Sequence, residues 1–249
     1  MLSKVSIILP NYNSSNTILA TVNSIIKQSY KNWELIIVDD CSDSKTKKIL
    51  SKFKKFKKIK IFYLKKNKGA GYCRNFAIKK SMSNYLAFID SDDLWYKNKL
   101  KFQINYMKKN NYYFTYTNYK TFNVDKSKKN IIKTPIKFNF NSFIKNTSIA
   151  TSTMVVKRVF ADGVKFSNSK ICEDYYFKCQ LLKKVGHAYC YPSYLSQYRI
   201  RENSLQSNRF RNLYWMWKIN KTLNNFSFFK NFVSIFFISL NSIKKYGFR

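Results

Sequence analysis

The stretch Tyr85-Leu86-Ala87-Phe88-Ile89-Asp90-Ser91-Asp92-Asp93-Leu94-Trp95 places an apolar run directly before three carboxylates. A continuous apolar run of this length predicts a strand that is buried on both faces. In open α/β sheets, ligands bind beyond the carboxyl ends of the strands. Carboxylates two residues apart suit a hard divalent cation whose coordination is completed by the phosphates of a ligand. For an isolated Asp-x-Asp, the alternative is a solvated acidic turn.

Three earlier segments repeat the arrangement of an apolar strand followed by polar or glycine-rich residues. The apolar runs are 5–9, 34–38 and 61–64, and the residues that follow them are 10–16, 39–43 and 67–75. Helical patterns separate them, including a lysine-rich helix predicted over Lys45–Lys58. The first half therefore predicts β-α-β-α-β-α-β, a Rossmann-like, mainly parallel sheet with right-handed crossovers. It lacks both G-x-G-x-x-G after the first strand and a P-loop lysine motif, which disfavours dinucleotide or ATP sites of those kinds.

The second half mixes strand and helix patterns. Thr151–Val156 alternates β-branched residues with methionine, which predicts a strand. Glu173 and Asp174 open a predicted helix that ends at Gly186. Acidic residues are favourable near a helix N-terminus, so capping is one interpretation of this pair. The chain's one histidine, His187, follows directly and is more typical of a structural residue than of a catalytic one.

The composition is that of a folded and strongly basic chain. Its 249 residues are 45% hydrophobic with only 5 Gly and 3 Pro, which indicates one α/β domain with an appendage, or two small domains. The 47 Lys and Arg against 12 Asp and Glu give a formal charge of +35. Such a field attracts nucleic acid, anionic membrane or phosphorylated ligands. A coding bias towards lysine explains the same charge without any function, and the excess of lysine over arginine favours a diffuse field.

Cysteine usage and hydropathy bear on the cellular compartment. The five cysteines are odd in number and form no C-x-x-C pair, which predicts reduced thiols in a cytosolic protein and no zinc site. The apolar run Val5–Leu9 is too short for a signal peptide. No segment reaches the roughly 18 uninterrupted apolar residues that are typical of a membrane-spanning helix.

Residues 209–249 form a tail with a helical pattern. Within it, residues 226–240 hold more apolar side chains than one helical stripe can carry, with lysines at Lys230, Lys244 and Lys245. This composition is typical of a helix that lies in a bilayer interface, where each basic residue near anionic lipid contributes about 1 kcal/mol. The alternative is packing against the rest of the chain or against a second subunit in a homodimer.

Seven pieces of the sequence, in order and spacing, resemble glycosyltransferase family 2, the inverting glycosyltransferases with the GT-A fold. They lie within about residues 3–208 and are Leu9–Asn13, Val38–Asp43, Asn67–Gly71 with Arg74-Asn75, Phe88–Asp93, Thr151–Val155, Glu173-Asp174 and Tyr198–Ser204. The resemblance implies a GT-A domain over 1–208, with a nucleotide-sugar-binding half at 1–95 and an acceptor-binding half at 96–208. It implies a hexosyltransferase that moves a sugar from a nucleotide-sugar donor, in this family usually a UDP-sugar, to a hydroxyl of a glycan acceptor.

The resemblance assigns donor-binding roles to loops in both halves. Pro10, Tyr12 and Asp39 would line the nucleotide pocket, where the Asp39 carboxylate can accept a hydrogen bond from the uracil imide. Asp40 and the Gly69 loop would lie near the ribose and the sugar. The other implied donor-binding positions are Asn13, Arg74, Ser91, Arg199 and Arg201. The last two arginines would clamp the pyrophosphate from a loop that orders on donor binding.

The resemblance also assigns the cation ligands and the general base. Asp92 would ligate Mn²⁺ or Mg²⁺ directly, and Asp90 would hold the ribose or a water on the cation. The cation would bridge the two phosphates and neutralise the charge that develops as the nucleotide leaves. Asp174, next to Glu173, would remove the proton of the acceptor hydroxyl as it attacks the anomeric carbon in line.

Two positions differ from the family pattern or lack a role in it. Relatives often carry histidine where Arg201 stands, and arginine cannot ligate a cation, so this position can serve phosphate only. Asp93 has no role in the pattern, and we expect it to cap a helix that begins near Trp95.

Bacterial family members of this length often build O-antigen, capsule or other cell-surface polysaccharide on lipid-linked acceptors. The implied location is the cytoplasm, peripheral on the inner face of the cytoplasmic membrane. The basic charge and the apolar tail suit an anionic membrane surface. No specific nucleic-acid partner is expected.

Two other functions remain as alternatives. A nucleotidyltransferase of sugar-nucleotide metabolism also uses a parallel sheet and paired acids, but it needs a glycine-rich loop with a catalytic Arg or Lys where Pro10–Asn13 stands. A basic nucleic-acid-binding protein would follow from the charge and would bind with a steep salt dependence. Residues 117–170, where sugar selectivity is expected, contain no pattern that identifies the donor sugar, the acceptor or the linkage.

Overall fold

The computed structural model describes residues 3–123, 130–200 and 208–246. The strands are β1 (Val5–Asn11), β2 (Trp33–Asp39), β3 (Ile59–Tyr63), β4 (Tyr85–Phe88), β5 (Leu94–Trp95), β6 (Phe114–Phe122), β7 (Ile131–Ile132), β8 (Lys137–Asn139), β9 (Val155–Lys157) and β10 (His187–Arg199). The helices are α1 (Ile18–Ile26), α2 (Ser44–Ser51), α3 (Ala70–Lys80), α4 (Lys99–Lys109), α5 (Phe140–Phe143), α6 (Arg158–Ala161), α7 (Glu173–Val185), α8 (Arg209–Thr222) and α9 (Phe228–Tyr246).

The strands join into a mixed sheet whose order is β3-β2-β1-β4-β9-β6-β10-β5, with β7 beside β6 and β8 beside β10. The first four strands in this order are parallel, and β9 runs antiparallel to both β4 and β6. β1, β2 and β4 are buried along their whole length, as expected of strands covered on both faces. The predicted α/β class, with a mainly parallel mixed sheet, flanking helices and a C-terminal helical extension, is confirmed.

Two hydrophobic clusters cover the two faces of the sheet. Successive strand residues point to opposite faces, so Ile8 and Phe88 enter one cluster and Ile7 and Ala87 enter the other. The first cluster contains the inner sides of α3 and α7, and the second those of α1 and α4. The sheet is therefore covered by helices on both faces, and the loops at its carboxyl edge begin from a buried core.

Two elements are shorter than the sequence pattern predicts. α2 ends at Ser51 instead of Lys58, and the residues beyond it are turns. The lysines over 52–58 would repel one another at helical spacing, which disfavours a longer helix. The strand predicted over Thr151–Val156 starts as a 3-10 turn, Thr151–Thr153, and only Val155–Lys157 pairs in the sheet.

The sheet crosses the predicted boundary at residue 95. β9 from the second half pairs with β4, and β5 pairs with β10. The division into halves at 1–95 and 96–208 stays a prediction. In the tail, α8 and α9 pack against each other. Across the described ranges, the helices are too short or too polar to cross a membrane.

Candidate active site

The carboxyl ends of β1, β2 and β4 meet at one edge of the sheet. Asn11 ends β1 opposite Asp39, which ends β2, and Pro10 is buried in β1 one residue earlier. β4 lies on the other side of β1 and leads into Asp90. This edge therefore gathers the segments that the sequence predicts to bind the donor, as parallel strands require.

Asp39 is buried beneath the loop that follows β1. Its Oδ1 accepts hydrogen bonds from Asn11 Nδ2 at 2.7 Å and from Ser42 Oγ at 2.6 Å, and the residue is 0% exposed. Ser42 Oγ also accepts from the backbone N–H of Asn13 at 2.9 Å. Asp39 thus holds the loop in shape, and its contact with a uracil stays a prediction. Tyr12, in the same loop, is 52% exposed and presents an open aromatic ring.

Asp40 fixes the glycine loop that opens α3. Its two carboxylate oxygens accept from the backbone N–H groups of Lys68 at 2.7 Å and Gly69 at 2.8 Å. Gly69 has a φ of 87°, which side-chain-bearing residues rarely adopt. A Cβ on Gly71 would lie 2.5 Å from the carbonyl oxygen of Ser167. Gly71 therefore allows α3 to approach the segment before α7, which is a packing role that the sequence did not indicate.

Arg74 is a buried bridge between the two acidic motifs. Its side chain is 5% exposed, with Nη2 2.5 Å from Asp90 Oδ1 and Nη1 2.5 Å from Glu173 Oε1. Burial alone would lower the pKa of Arg74, but the charges of Asp90 and Glu173 raise it, so the guanidinium stays charged. Because Asp90 follows β4 and Glu173 begins α7, one side chain joins the two halves of the chain. The donor contact predicted for Arg74 is untested, and the contacts seen are with these carboxylates.

Asp93 joins the acidic loop to the second half of the chain. Its Oδ2 accepts from Ser152 Oγ at 2.5 Å, and its Oδ1 accepts from the backbone N–H of Arg199 at 2.9 Å. The predicted capping role was wrong, because α4 begins only after Asn98, which is its N-cap. The Asp93 carboxylate instead accepts tertiary hydrogen bonds from the 3-10 turn and from β10.

Asp90, Asp92 and Asp93 concentrate negative charge at the end of β4. Burial raises the pKa of Asp93, and the charges of Asp92 and Asp90 raise it further. Carboxylate oxygens are the ligands that hard divalent cations prefer, and a cation would relieve this repulsion, so the donor set fits Mn²⁺ or Mg²⁺. In the part of the chain that the structure describes, no three His, Cys, Asp or Glu side chains form a metal-binding group. A cation here would therefore need further ligands from a bound substrate.

Asp174 has a fixed orientation in the first turn of α7. Its Oδ2 accepts hydrogen bonds from Lys178 Nζ at 2.6 Å and from Thr151 Oγ1 at 2.6 Å. The Lys178 side chain is 4% exposed and also donates to the carbonyl of Ile149 at 2.7 Å. Burial acts to raise the pKa of Asp174, but Lys178, Thr151 and Arg74 together lower it to about 2. The carboxylate is therefore ionised at neutral pH.

Glu173 and Asp174 form ion pairs with Arg74 and Lys178, which the capping interpretation does not predict. The N-cap of α7 is Cys172, which makes no side-chain cap hydrogen bond. Both acids lie in the first turn, where the helix dipole favours negative charge. Their side chains, however, are held by tertiary and i,i+4 ion pairs. His187 begins β10, at the opposite end of that strand from Arg199, and lies apart from these residues.

The sequence pattern predicts no individual role for three side chains of this arrangement: Thr151, Ser152 and Lys178. Lys178 stands four residues after Asp174, and this spacing on a predicted helix is a signal for an ion pair. In a chain with 47 Lys and Arg residues, however, a lysine at this spacing is too common to identify an ion pair by itself. The sequence predicts a strand at Thr151 and Ser152, and in a strand their side chains would point to opposite faces of the sheet. In the 3-10 turn that forms instead, Thr151 donates to Asp174 and Ser152 donates to Asp93.

The end of β10 lies beside the acidic loop. Arg199 Nε donates to the backbone carbonyl of Asp92 at 2.9 Å. The backbone carbonyl of Ser91 accepts from Thr17 Oγ1 at 2.9 Å, which ties the loop to the start of α1. The structure thus brings Arg199 to the predicted cation ligand, and its contact with a pyrophosphate stays a prediction. Arg201 lies outside the described residues.

The chain concentrates its few acids in this one region. Seven of its twelve acidic residues follow or end β2 and β4 or lie in the first turn of α7, which Arg74 links to Asp90. They are Asp39, Asp40, Asp90, Asp92, Asp93, Glu173 and Asp174. The protein is therefore basic overall, with most of its acids gathered at one edge of the sheet.

Comparison with known proteins identifies relatives along nearly the whole chain. Residues 6–175 match the family described as Glycosyl transferase family 2. TuaG of Bacillus subtilis, named a putative teichuronic acid biosynthesis glycosyltransferase, is 33% identical over 243 residues, 97% of this chain and 96% of that protein. WfgD of Escherichia coli, named UDP-Glc:alpha-D-GlcNAc-diphosphoundecaprenol beta-1,3-glucosyltransferase, is 36% identical over 216 residues, 86% of this chain and 84% of that protein.

Solved structures share the fold at low sequence identity. Staphylococcus aureus TarS 1–349 in complex with UDP-GlcNAc has a TM-score of 0.74 at 21% identity, covering 98% of this chain and 73% of that chain. The mannosyltransferase PcManGT from Pyrobaculum calidifontis, in complex with GDP-Man and Mn²⁺, has a TM-score of 0.71 at 14% identity, covering 91% of this chain and 66% of that chain. These findings confirm the resemblance drawn from the seven sequence pieces: the chain belongs to glycosyltransferase family 2 and is a glycosyltransferase with the GT-A fold.

Proposed function

We propose that this enzyme transfers a sugar, with inversion, from a UDP-sugar to a hydroxyl of a lipid-linked glycan during synthesis of a bacterial cell-surface polysaccharide. The observation that carries the proposal is that Arg74 pairs with Asp90 after β4 and with Glu173, the neighbour of Asp174 in α7. Relatives support the substrates. The name of WfgD gives a UDP-Glc donor and a diphosphoundecaprenol-linked acceptor, the name of TuaG gives teichuronic acid biosynthesis, and a TarS structure holds UDP-GlcNAc.

The donor would lie across the carboxyl edge of the sheet. The exposed ring of Tyr12 would stack on the nucleobase, and the Gly69 loop, held by Asp40, would face the ribose and the sugar. Arg199, beside the acidic loop, would bind the diphosphate. In this pose the anomeric carbon faces α7.

Asp92 and Asp90 would hold a Mn²⁺ or Mg²⁺ ion together with the diphosphate of the donor. When bound, the ion would neutralise the charge that develops on the departing diphosphate. Asp90 keeps its position through Arg74 and through its backbone N–H, which donates to Ser152 Oγ at 3.0 Å. The Mn²⁺ complex of PcManGT supports a cation in this fold.

Asp174 would act as the general base. Its contacts with Lys178 and Thr151 are both made by Oδ2, so Oδ1 is available to accept the proton of the acceptor hydroxyl. Oxygen attack from the α7 side and departure of UDP on the opposite side invert the anomeric centre. A carboxylate held by two hydrogen bonds keeps the orientation that in-line attack requires.

The enzyme would work in the cytoplasm, bound peripherally to the inner face of the cytoplasmic membrane. An acceptor whose lipid stays in the bilayer can only be reached there. The basic charge of the chain suits the anionic surface of that leaflet. Nucleic acid is not required by this function.

A donor-hydrolysis screen tests the proposal. The purified chain is incubated with UDP, GDP and dTDP sugars, with Mn²⁺ or with EDTA, and the released nucleotide is measured. We expect release from a UDP-sugar with Mn²⁺, which a GlcNAc-diphospholipid acceptor accelerates and EDTA abolishes. If none of the nucleotide sugars is turned over with either addition, the proposed function is wrong. Turnover that EDTA leaves unchanged contradicts the role of the cation.

Lys178→Met is expected to move the acidic limb of the kcat profile to higher pH. In the wild-type chain, burial raises the pKa of Asp174, but Lys178 leads the contacts that bring it down to about 2. Without this ammonium group, burial raises the pKa of Asp174 with less opposition. Asp174 therefore becomes protonated at a higher pH, and kcat falls there. The kcat is measured from about pH 4 to pH 8. Lys178→Arg keeps the positive charge and should keep the wild-type limb. An unshifted limb in Lys178→Met counts against this role.

A further inference from the structure

The helix α9 buries two polar residues and exposes its phenylalanines. A surface helix ordinarily buries its apolar stripe and exposes its polar one. In α9, Asn231 and Ser234 are each 1% exposed and face the rest of the chain. The side chains that face outward are Phe228 (75% exposed), Phe229 (75%), Phe232 (54%), Phe236 (51%), Phe237 (39%) and Leu240 (39%), here called the outer face.

Hydrogen bonds of the buried polar residues determine this orientation. Ser234 Oγ donates to the carbonyl of Ile144 at 2.6 Å, and Asn231 Nδ2 donates to the carbonyl of Trp217 at 3.0 Å. Asn220 Nδ2, on α8, donates to Asn231 Oδ1 at 3.0 Å and to Ser234 Oγ at 3.1 Å. Rotating α9 to bury its phenylalanines would break these bonds and leave buried polar groups without partners, which is costly. The exposure of the outer face is therefore specified by the fold.

The outer face continues onto α8. The ring centroids of Trp217 on α8 and Phe228 on α9 are 5.5 Å apart. Phe210 and Tyr214, also on α8, are 87% and 59% exposed. Lysines border this surface, including the exposed Lys244, one turn beyond Leu240. Contiguous exposed apolar surface of this kind marks an interaction site.

We propose that the outer face of α9 binds the headgroup region of an anionic lipid bilayer. Aromatic side chains bordered by lysines are the composition of helices that lie in the membrane interface. The formal charge of +35 opposes association with a second copy of the chain and favours an anionic surface. The choice of a membrane as partner rests on the proposed function, in which the acceptor is anchored in lipid.

The same hydrogen-bond network connects this surface to the candidate base. Tyr175, which follows Asp174 in α7, donates from its hydroxyl to Asn220 Oδ1 at 2.8 Å. Asn220 in turn holds Asn231 and Ser234 of α9. The helix pair thus docks on the part of α7 that carries the base. An enzyme held on the bilayer by α9 would keep α7, which carries Asp174, near the membrane that holds the acceptor.

The test compares vesicle binding by the wild-type chain and by the triple variant Phe228→Gln, Phe232→Gln and Phe236→Gln. Glutamine keeps helix propensity and the three positions are exposed, so the fold should survive. Co-sedimentation uses vesicles of phosphatidylcholine with phosphatidylglycerol, and of phosphatidylcholine alone, without donor or acceptor. We expect the wild type to bind the anionic vesicles more tightly, and the triple variant to lose about tenfold or more of this affinity.

The matched control replaces three exposed apolar residues elsewhere: Met82→Gln, Ile136→Gln and Val159→Gln. It should bind vesicles as the wild type does. Wild-type affinity in the Phe variant, or no vesicle binding by the wild type, would overturn the proposal. So would a wild-type dimer in sedimentation equilibrium that the Phe variant converts to monomer, since a second copy would then cover the face. Donor hydrolysis is measured separately, so a failure of the proposed function is distinguishable from a failure of membrane binding.

Discussion

Asp174→Asn is expected to lower kcat by roughly 10²–10⁴-fold while donor affinity stays near the wild-type value. The amide is isosteric with the carboxylate and can still accept from Thr151, but it cannot take the proton of the acceptor hydroxyl. The loops around Asp39 and Asp40, which are proposed to bind the nucleotide, are held by their own hydrogen bonds and should keep them in the variant. Steady-state kinetics with saturating acceptor and UDP binding by calorimetry measure the two quantities.

Two further variants separate chemistry from folding in this experiment. Asp174→Asn leaves Lys178 as a buried cation without its carboxylate, which destabilises the chain. The double variant Asp174→Asn with Lys178→Met removes that charge and should recover stability without recovering turnover. Asp162→Asn is the matched control, because this carboxylate is 60% exposed and lies outside the candidate site. If Asp174→Asn kept more than about a tenth of the wild-type kcat, Asp174 would not be the base.

Arg74→Met is expected to lower the free energy of unfolding by about 3 kcal/mol and to abolish donor binding. The substitution leaves Asp90 and Glu173 without their shared cation. The figure lies at the low end of the range for a broken buried pair, because the Asp90 side chain is 30% exposed and is partly screened by solvent. The loss of donor binding follows because the acidic loop and α7 would no longer be held together.

The destabilisation by Arg74→Met should shrink as the pH falls. Burial already raises the pKa of Glu173, and Arg74 opposes that rise, so the variant carries a carboxyl with a still higher pKa. A carboxyl whose folded pKa lies above its unfolded pKa costs stability at high pH; this cost decreases as the pH falls below the folded pKa and is gone below the unfolded pKa. Urea unfolding at about pH 7 and pH 5 measures the difference. A deficit that is equal at both values would mean that buried charge is not its cause.

The central strands and the positions of the acids were predictable from the sequence, whereas the contacts that organise them were not. The apolar runs before Pro10, Asp39 and Asp90 predict buried parallel strands, and parallel strands must bring their carboxyl ends to one edge. The partners at that edge come from distant parts of the chain. Ser152 reaches Asp93 across 59 positions, and Arg74 reaches Glu173 across 99. No local pattern encodes such pairs.

The tail shows a different limit of sequence reasoning. The excess of phenylalanine over 226–240 predicts an apolar helix, but hydropathy leaves open whether its phenylalanines lie on a membrane or pack against the rest of the chain. Its actual orientation depends on Asn231 and Ser234 meeting Asn220, and such pairing is visible only once α8 and α9 are placed side by side. The predicted end of α2 was wrong for a simpler reason. The helical spacing of apolar residues continues to Phe56, although the helix ends at Ser51.

The concentration of acids at the carboxyl edge of the sheet in a basic chain has a kinetic consequence for an anionic donor. At long range, the excess of lysine attracts a nucleotide sugar and speeds its encounter with the surface. Within the last few ångströms, the carboxylates around β4 repel its diphosphate. Mobile ions screen the long-range attraction between exposed charges far more than they screen interactions of partly buried charges. Rising ionic strength should therefore slow the encounter of the donor with the protein more than it weakens the repulsion between the carboxylates and the bound diphosphate.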